Sequence, residues 1–162
     1  LAMISGKTSA IIRFAAWAGA VIANADEAIA ARWADFGLEL GLGFQIHDDL
    51  LGIWGTQAET GKRQADDIRR RKKSYPFLLL RERLDPPARA ELNAIFARGE
   101  VTEEDVARVL SLMDTRDVRR DVERVVAKHH DAAAAILAET ARDAAFRSRL
   151  RTLVESLSTR TS

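Results

Sequence analysis

Two adjacent carboxylates, Asp48 and Asp49, sit inside the apolar run Gly43-Phe44-Gln45-Ile46-His47-Asp48-Asp49-Leu50-Leu51. An unpaired carboxylate among apolar side chains is costly, so the pair needs a counter-charge or a solvated turn. Its hard oxygens suit Mg²⁺, which usually bridges one or two carboxylates to substrate phosphates. A solvated turn, or pairing with nearby arginines, accounts for the same two residues without a metal. Downstream, Gly61-Lys62 closes a polar stretch, and Asp67 and Lys72 follow five and ten residues after Lys62. Upstream stands Lys7-Thr8. An ammonium is a compact point charge suited to phosphate oxygens. Taken singly, each lysine reads as a surface residue, and Arg69-Arg70-Arg71-Lys72-Lys73 as a solvated helical face.

The elements that must position these groups are helical. Apolar residues recur at three- and four-residue spacing almost throughout, and no alternating strand pattern is found. The spacing predicts a helix from about Ala2 to Ala23, a break at Asn24-Ala25-Asp26 with Asp26 as cap, and a second helix from about Glu27 to Ile53. Gly37 and Gly41, one turn apart, would let another helix approach closely, whereas Gly43 weakens the helix locally. Gly55 to Gly61 is expected to be a mobile loop. A helix from about Asp66 to Leu84 contains Pro76, which predicts a kink or break near Tyr75. Asp85-Pro86-Pro87 opens the next helix, which ends at Gly99, and Thr102 caps another with Asp105 at its third position. Val118, Val122, Val125, Ala132 and Ile136 form the expected stripe of a later helix, with His129 on it and with His130 and Asp131 facing solvent. Arg142 to Leu157 is a last amphipathic helix. The expected fold is an all-α helical bundle, one domain over 1–162.

Composition bounds the partners. The chain has 162 residues, 47% hydrophobic and 30% charged, with a formal net charge of +1. That balance is ordinary for a globular protein and gives no global field toward nucleic acid or an anionic membrane. Cysteine is absent, which excludes disulfides and thiolate chemistry. The longest apolar stretch, Phe14 to Ala23 with Arg13 at its edge, is too short to span a bilayer, so no integral membrane segment and a cytoplasmic location are expected. Trp17, Trp33, Trp54, Phe14 and Phe36 read as core or subunit contacts. The first residue is Leu1, and the chain opens directly into helical sequence, so further sequence upstream is expected.

The ordered set Lys7-Thr8, Phe44-Gln45-x-x-Asp48-Asp49-x-Leu51, Gly61-Lys62, Asp67, Lys72 and Pro76 resembles the trans-isoprenyl diphosphate (polyprenyl) synthases. Asp48-Asp49-Leu50-Leu51-Gly52-Ile53-Trp54-Gly55 looks most like their geranylgeranyl-type members. Any one motif would be weak; several in the right order, spanning Lys7 to Pro76, are not. The resemblance implies the C-terminal part of an isoprenoid synthase fold. It also implies a transferase condensing an allylic diphosphate with isopentenyl diphosphate to a longer trans-prenyl diphosphate. In that picture Asp48 and Asp49 hold Mg²⁺ on the allylic diphosphate, and Lys7, Lys62 and Lys72 bind its oxygens. Thr8 and Gln45 face the developing cation, and Phe44 packs near isopentenyl diphosphate. The Gly55–Gly61 loop acts as a lid, and the protein is a homodimer.

Two departures stand out. The family's second aspartate motif usually ends in a third aspartate, and Gly52 holds that place, one turn from Asp48 on the same face. The first aspartate-rich motif would lie upstream of Lys7, so the chain supplies about half an active site and is expected to be inactive alone. Three rival readings remain. One is a histidine–aspartate phosphohydrolase built on His47-Asp48 and His130-Asp131, for which the motif order is wrong. Another is a non-catalytic partner subunit, and the last is a terpene cyclase on the same fold.

Overall fold

The computed structural model describes residues 8–158. Among them every regular element is a helix: α1 (Ala10–Ile22), α2 (Glu27–Trp54), α3 (Gln57–Thr60), α4 (Asp66–Arg69), α5 (Tyr75–Arg83), α6 (Pro86–Ala97), α7 (Glu103–Asp114), α8 (Val118–Thr140) and α9 (Ala144–Ser158). The chain forms two compact units, residues 8–47 with 124–158 and residues 48–123. The all-α expectation holds. The first predicted helix is described from Ala10, and Lys7 lies outside the described residues.

In the first unit, α1 lies against α2 where α2 has no side chains. A Cβ at Gly37 would fall 2.6 Å from the Ile12 carbonyl oxygen, and one at Gly41 2.6 Å from Ser9 Cα. These two glycines are therefore what allows the approach of the backbones. The core is built from Phe36 and Leu40 of α2, Ala133, Ile136 and Leu137 of α8, Ala141, and Val154 of α9. Trp33 packs on it edge-to-face with Phe36, ring centroids 5.4 Å apart. Burying each large apolar side chain contributes about 1.5–3 kcal/mol. Asp26 starts α2 as expected, its Oδ1 accepting from the Ile29 amide at 2.8 Å. Phe14 and Trp17, expected in a core or contact, are 64% and 42% exposed on α1.

The α8 stripe differs from the sequence reading. Val122, Val126, His130, Ala133 and Leu137 are buried, whereas Val125 and Ala132 are only half-buried. The spacing of four, four, three and four residues carries the buried line one position C-terminal of the expected one in mid-helix, and that rotation takes His130 inside. His130 is thus buried and not solvent-facing, and Gly43 makes its room: a Cβ there would lie 2.5 Å from His130 Cδ2. His129, at the edge, pairs through Nδ1 with Glu39 Oε2 at 2.6 Å. Asp131 is exposed, as expected.

In the second unit, Ile53, Ile68, Phe77, Leu80, Leu92, Val109, Met113 and Val118 are buried. Its helix starts follow the capping rules. Asp85 accepts from the Ala88 amide at 2.9 Å, and Thr102 and Asp105 form a reciprocal capping box. The stretch expected to be a mobile loop holds α3, capped by a second box between Thr56 and Glu59 and ended at Gly61 with φ +66°. The polar composition that suggested mobility is composition that caps a helix. The break expected near Tyr75 is present: α4 ends at Arg69 and α5 starts at Tyr75, with Pro76 in its first turn, where its missing N–H has no cost.

Candidate functional site

The functional side chains of the second unit are gathered by the end of α2 and the chain that returns to it. Ala65, buried and at φ +60°, donates its amide to the Ile53 carbonyl at 3.1 Å. After the one-turn helix α4, Arg71 at φ +55° reverses the chain, and the Lys72 amide donates to the Asp67 carbonyl at 2.8 Å. These two left-handed residues bring the Lys72 side chain back onto α2. Its Nζ lies 3.0 Å from Asp49 Oδ1, 3.1 Å from Asp67 Oδ2 and 3.9 Å from Asp48 Oδ2.

The aspartates are in different surroundings. Asp48 is exposed, with 56% of its side chain open to solvent, whereas the Asp49 side chain is 4% exposed. Asp49 Oδ2 accepts the Tyr75 amide at 2.8 Å. Tyr75 begins α5, and Ser74, at the cap position, makes no side-chain capping bond. Asp67 is buried and fills the space in front of Gly52. A Cβ at Gly52 would lie 2.5 Å from Asp67 Cγ and 2.6 and 2.8 Å from its two oxygens. The position of the motif's usual third aspartate therefore faces a carboxylate that arrives from α4.

Electrostatics follow from this crowding. Burial pushes the Asp67 carboxyl up; Lys72 counters this in part, and Asp49 and Asp48 add to it. For Lys72, burial works to lower the ammonium, but the hydrogen bond and charge of Asp49, with Asp67, prevail and hold it above the usual lysine range. Three carboxylates around one ammonium leave two negative charges unbalanced when all are ionised, an arrangement that attracts a further cation.

The donor chemistry fits Mg²⁺. The 3.9 Å separation of Asp48 from Lys72 is too long for a hydrogen bond, and the Asp48 oxygens are hard and exposed. Among the described residues no three histidine, aspartate or glutamate side chains are arranged to enclose a metal.

The other sequence-predicted residues stand as follows. In the first unit, Thr8 Oγ1 donates to Gln45 Oε1 at 2.9 Å, so that predicted pair is brought together. Phe44 is half-buried on α2. Lys62 is exposed just past Gly61, its amide donating to Thr60 Oγ1 at 3.2 Å. The arginine run is not a helical face: Arg69 pairs with Glu103 at 2.6 Å and Arg70 with Asp66 at 2.9 Å. Sequence reasoning gave Asp67 no role, although its place five residues before Lys72 was a usable signal. It missed the Tyr75 amide entirely, because a backbone donor leaves no side-chain trace; only Pro76, marking a helix start, pointed there.

The helical fold is that of a prenyl-synthase type of protein, and the chain belongs to the polyprenyl synthetase family, whose model matches residues 1–113. It is 38% identical over 144 residues to the geranylgeranyl diphosphate synthase of Mycobacterium tuberculosis, covering 88% of this chain and 41% of that one. Among solved structures, the polyprenyl synthetase of Streptomyces coelicolor superposes with a TM-score of 0.87 at 30% identity, over 96% of this chain and 48% of that one. The polyprenyl synthase of Caulobacter crescentus, complexed with calcium and isoprenyl diphosphate, gives 0.82 at 32% identity, over 98% and 48%. The chain thus spans about half the length of the structures it matches, or less of the curated relative. Family membership leaves no support for the phosphohydrolase reading.

Proposed function

We propose that this chain supplies the C-terminal half of a trans-prenyltransferase that joins an allylic diphosphate to isopentenyl diphosphate, with a geranylgeranyl-type product favoured. The observation that carries the reading is the convergence of Asp48, Asp49, Asp67 and Lys72 at the end of α2, in a chain of this family. The Asp48–Asp49 edge would hold Mg²⁺, whose chemistry is to neutralise charge on the departing diphosphate. Lys72, with Lys62 and Lys7, grips diphosphate oxygens. Thr8 and Gln45, already hydrogen-bonded, present oxygens toward the developing allylic cation, and Phe44 packs beside the second substrate. The first aspartate-rich motif is expected from the other half of the protein, and the half described here is inactive by itself. No described helix is long and apolar enough to cross a membrane, and a cytoplasmic location is proposed. The exposed Ile11, Phe14, Trp17 and Val21 of α1 support a contact with further polypeptide, for which a second copy in a homodimer is proposed.

The test is elongation of a labelled allylic diphosphate by isopentenyl diphosphate, using the full-length protein with and without a chelator. A longer diphosphate that forms only with Mg²⁺ supports the proposal. A cyclised hydrocarbon would make the protein a cyclase, and no product at all would make it a non-catalytic subunit.

A further inference from the structure

Building on the proposed function, we infer that Arg71 is a positioning residue for Lys72: its guanidinium clasps the end of α6 and so fixes the turn that delivers the Lys72 ammonium to the diphosphate. Arg71 stands where it does at a steric cost. Its φ is +55°, a conformation in which the Cβ of an L residue crowds the following carbonyl oxygen and glycine does not. Stability of the turn alone would favour glycine there, so the contacts of the arginine side chain matter. They are distant in sequence. Nη1 donates to the carbonyl oxygen of Arg98, 27 residues away at the C-cap of α6, a place where carbonyls lack an intrahelical partner. Arg98 is itself held. Its Nη1 lies 2.6 Å from Asp105 Oδ1, and Asp105 Oδ2 accepts the Thr102 amide at 3.2 Å in the box that starts α7. The Lys72 turn is therefore tied on two sides, by the Lys72 amide on the Asp67 carbonyl at 2.8 Å and by Arg71 on the connection between α6 and α7. Lys72 directly follows the clasp, and its Nζ stands 3.0 Å from Asp49 and 3.1 Å from Asp67. Releasing Arg71 frees the turn, and an ammonium displaced by a fraction of its reach binds phosphate oxygens less well.

The test uses Arg71→Gly and Arg71→Asn in the full-length protein, because both residues accept a positive φ and neither reaches Arg98. Each variant is expected to melt within about 4 °C of the parent. Calorimetry should show pyrophosphate, titrated with Mg²⁺, binding at least about three-fold more weakly. In steady-state assays KM for the allylic diphosphate should rise at least about five-fold, with KM for isopentenyl diphosphate changed less than about two-fold; general loosening of the fold would move both. The ratio of variant to parent should persist at about 0.5 M salt, where the effect of a lost surface charge is screened away. Parent-like pyrophosphate affinity, an equal rise in both KM values, a defect in only one of the two variants, or a ratio that falls to one in high salt each overturns the inference and leaves the proposed function standing. Lys72→Ala binding pyrophosphate as tightly as the parent refutes the reading of the site itself.

Discussion

Gly52 gives the sharpest test of the site's packing. Adding one methyl there meets the Asp67 carboxylate at 2.5–2.8 Å, well inside any contact a real Cβ makes. Asp67 cannot simply swing away, because it is buried and tied to Lys72 at 3.1 Å. Overpacking of this kind costs about 1–3 kcal/mol. Against that, alanine gains about 1 kcal/mol over glycine in a helix interior. Gly52→Ala should therefore be neutral to about 2 kcal/mol destabilising. Gly19, in the middle of α1 with nothing within 4 Å of its would-be Cβ, is the internal control. Gly19→Ala should show only the propensity gain of about 1 kcal/mol. The two variants should thus melt roughly 2–12 °C apart, at about 2–4 °C per kcal/mol for a chain of this size. In an Asp67→Ala background the clash partner is gone, and Gly52→Ala should become stabilising. Thermal unfolding by circular dichroism of all the variants reads this directly. Gly52→Ala as stabilising as Gly19→Ala, or equally costly with and without Asp67, would refute the claimed contact.

Other outcomes follow from the same geometry. Asp48→Ala and Lys62→Ala, both at exposed positions, should each lower prenyl transfer by about 100-fold or more while leaving the melting temperature near the parent's; full turnover in both would defeat the site assignment. Thr102→Ala breaks the capping box at α7 and should cost about 1 kcal/mol in urea unfolding. His130 is held below the usual histidine range first by burial and then by His47 and His129, with Asp131 offsetting part. Because the unfolded chain takes up that proton first, stability should be full above about pH 6.5 and fall as the pH drops through that value. The slope should flatten in His130→Gln, and an unchanged slope would contradict the burial effect.

How much of this could be read without coordinates depends on where the signal lay. Capping residues act through their immediate neighbours, so Asp26, Asp85 and Thr102 announced their helices correctly. Close helix approach likewise shows locally, as at Gly37 and Gly41. The failures share a non-local cause. His130 and Val126 are inside because of a rotation of α8 by about one position, which spacing over a few residues does not resolve. Gly43 and Gly52 read as helix weakeners or a lost ligand, yet each leaves room for a side chain distant in sequence, His130 in one case and Asp67 in the other. The place of Lys72 in a motif raised the expectation that it binds diphosphate, but its grip on Asp49 and Asp67 depends on the left-handed turn at Arg71.

The same cluster bears on whether the chain is a scaffold. If stability alone had shaped this corner, an apolar group of similar volume would serve as well or better, because desolvating charges often outweighs their attraction. Instead two largely buried carboxylates and one exposed one share a single ammonium, although burial disfavours the charged form of Asp67. Helix α2 carries that imbalance at its end, where Asp48 opens to solvent. A fold that tolerates an unbalanced negative group at such a position gains nothing from it until a cation arrives there. That asymmetry between cost in isolation and benefit with a bound ion favours a working site over a retained shell.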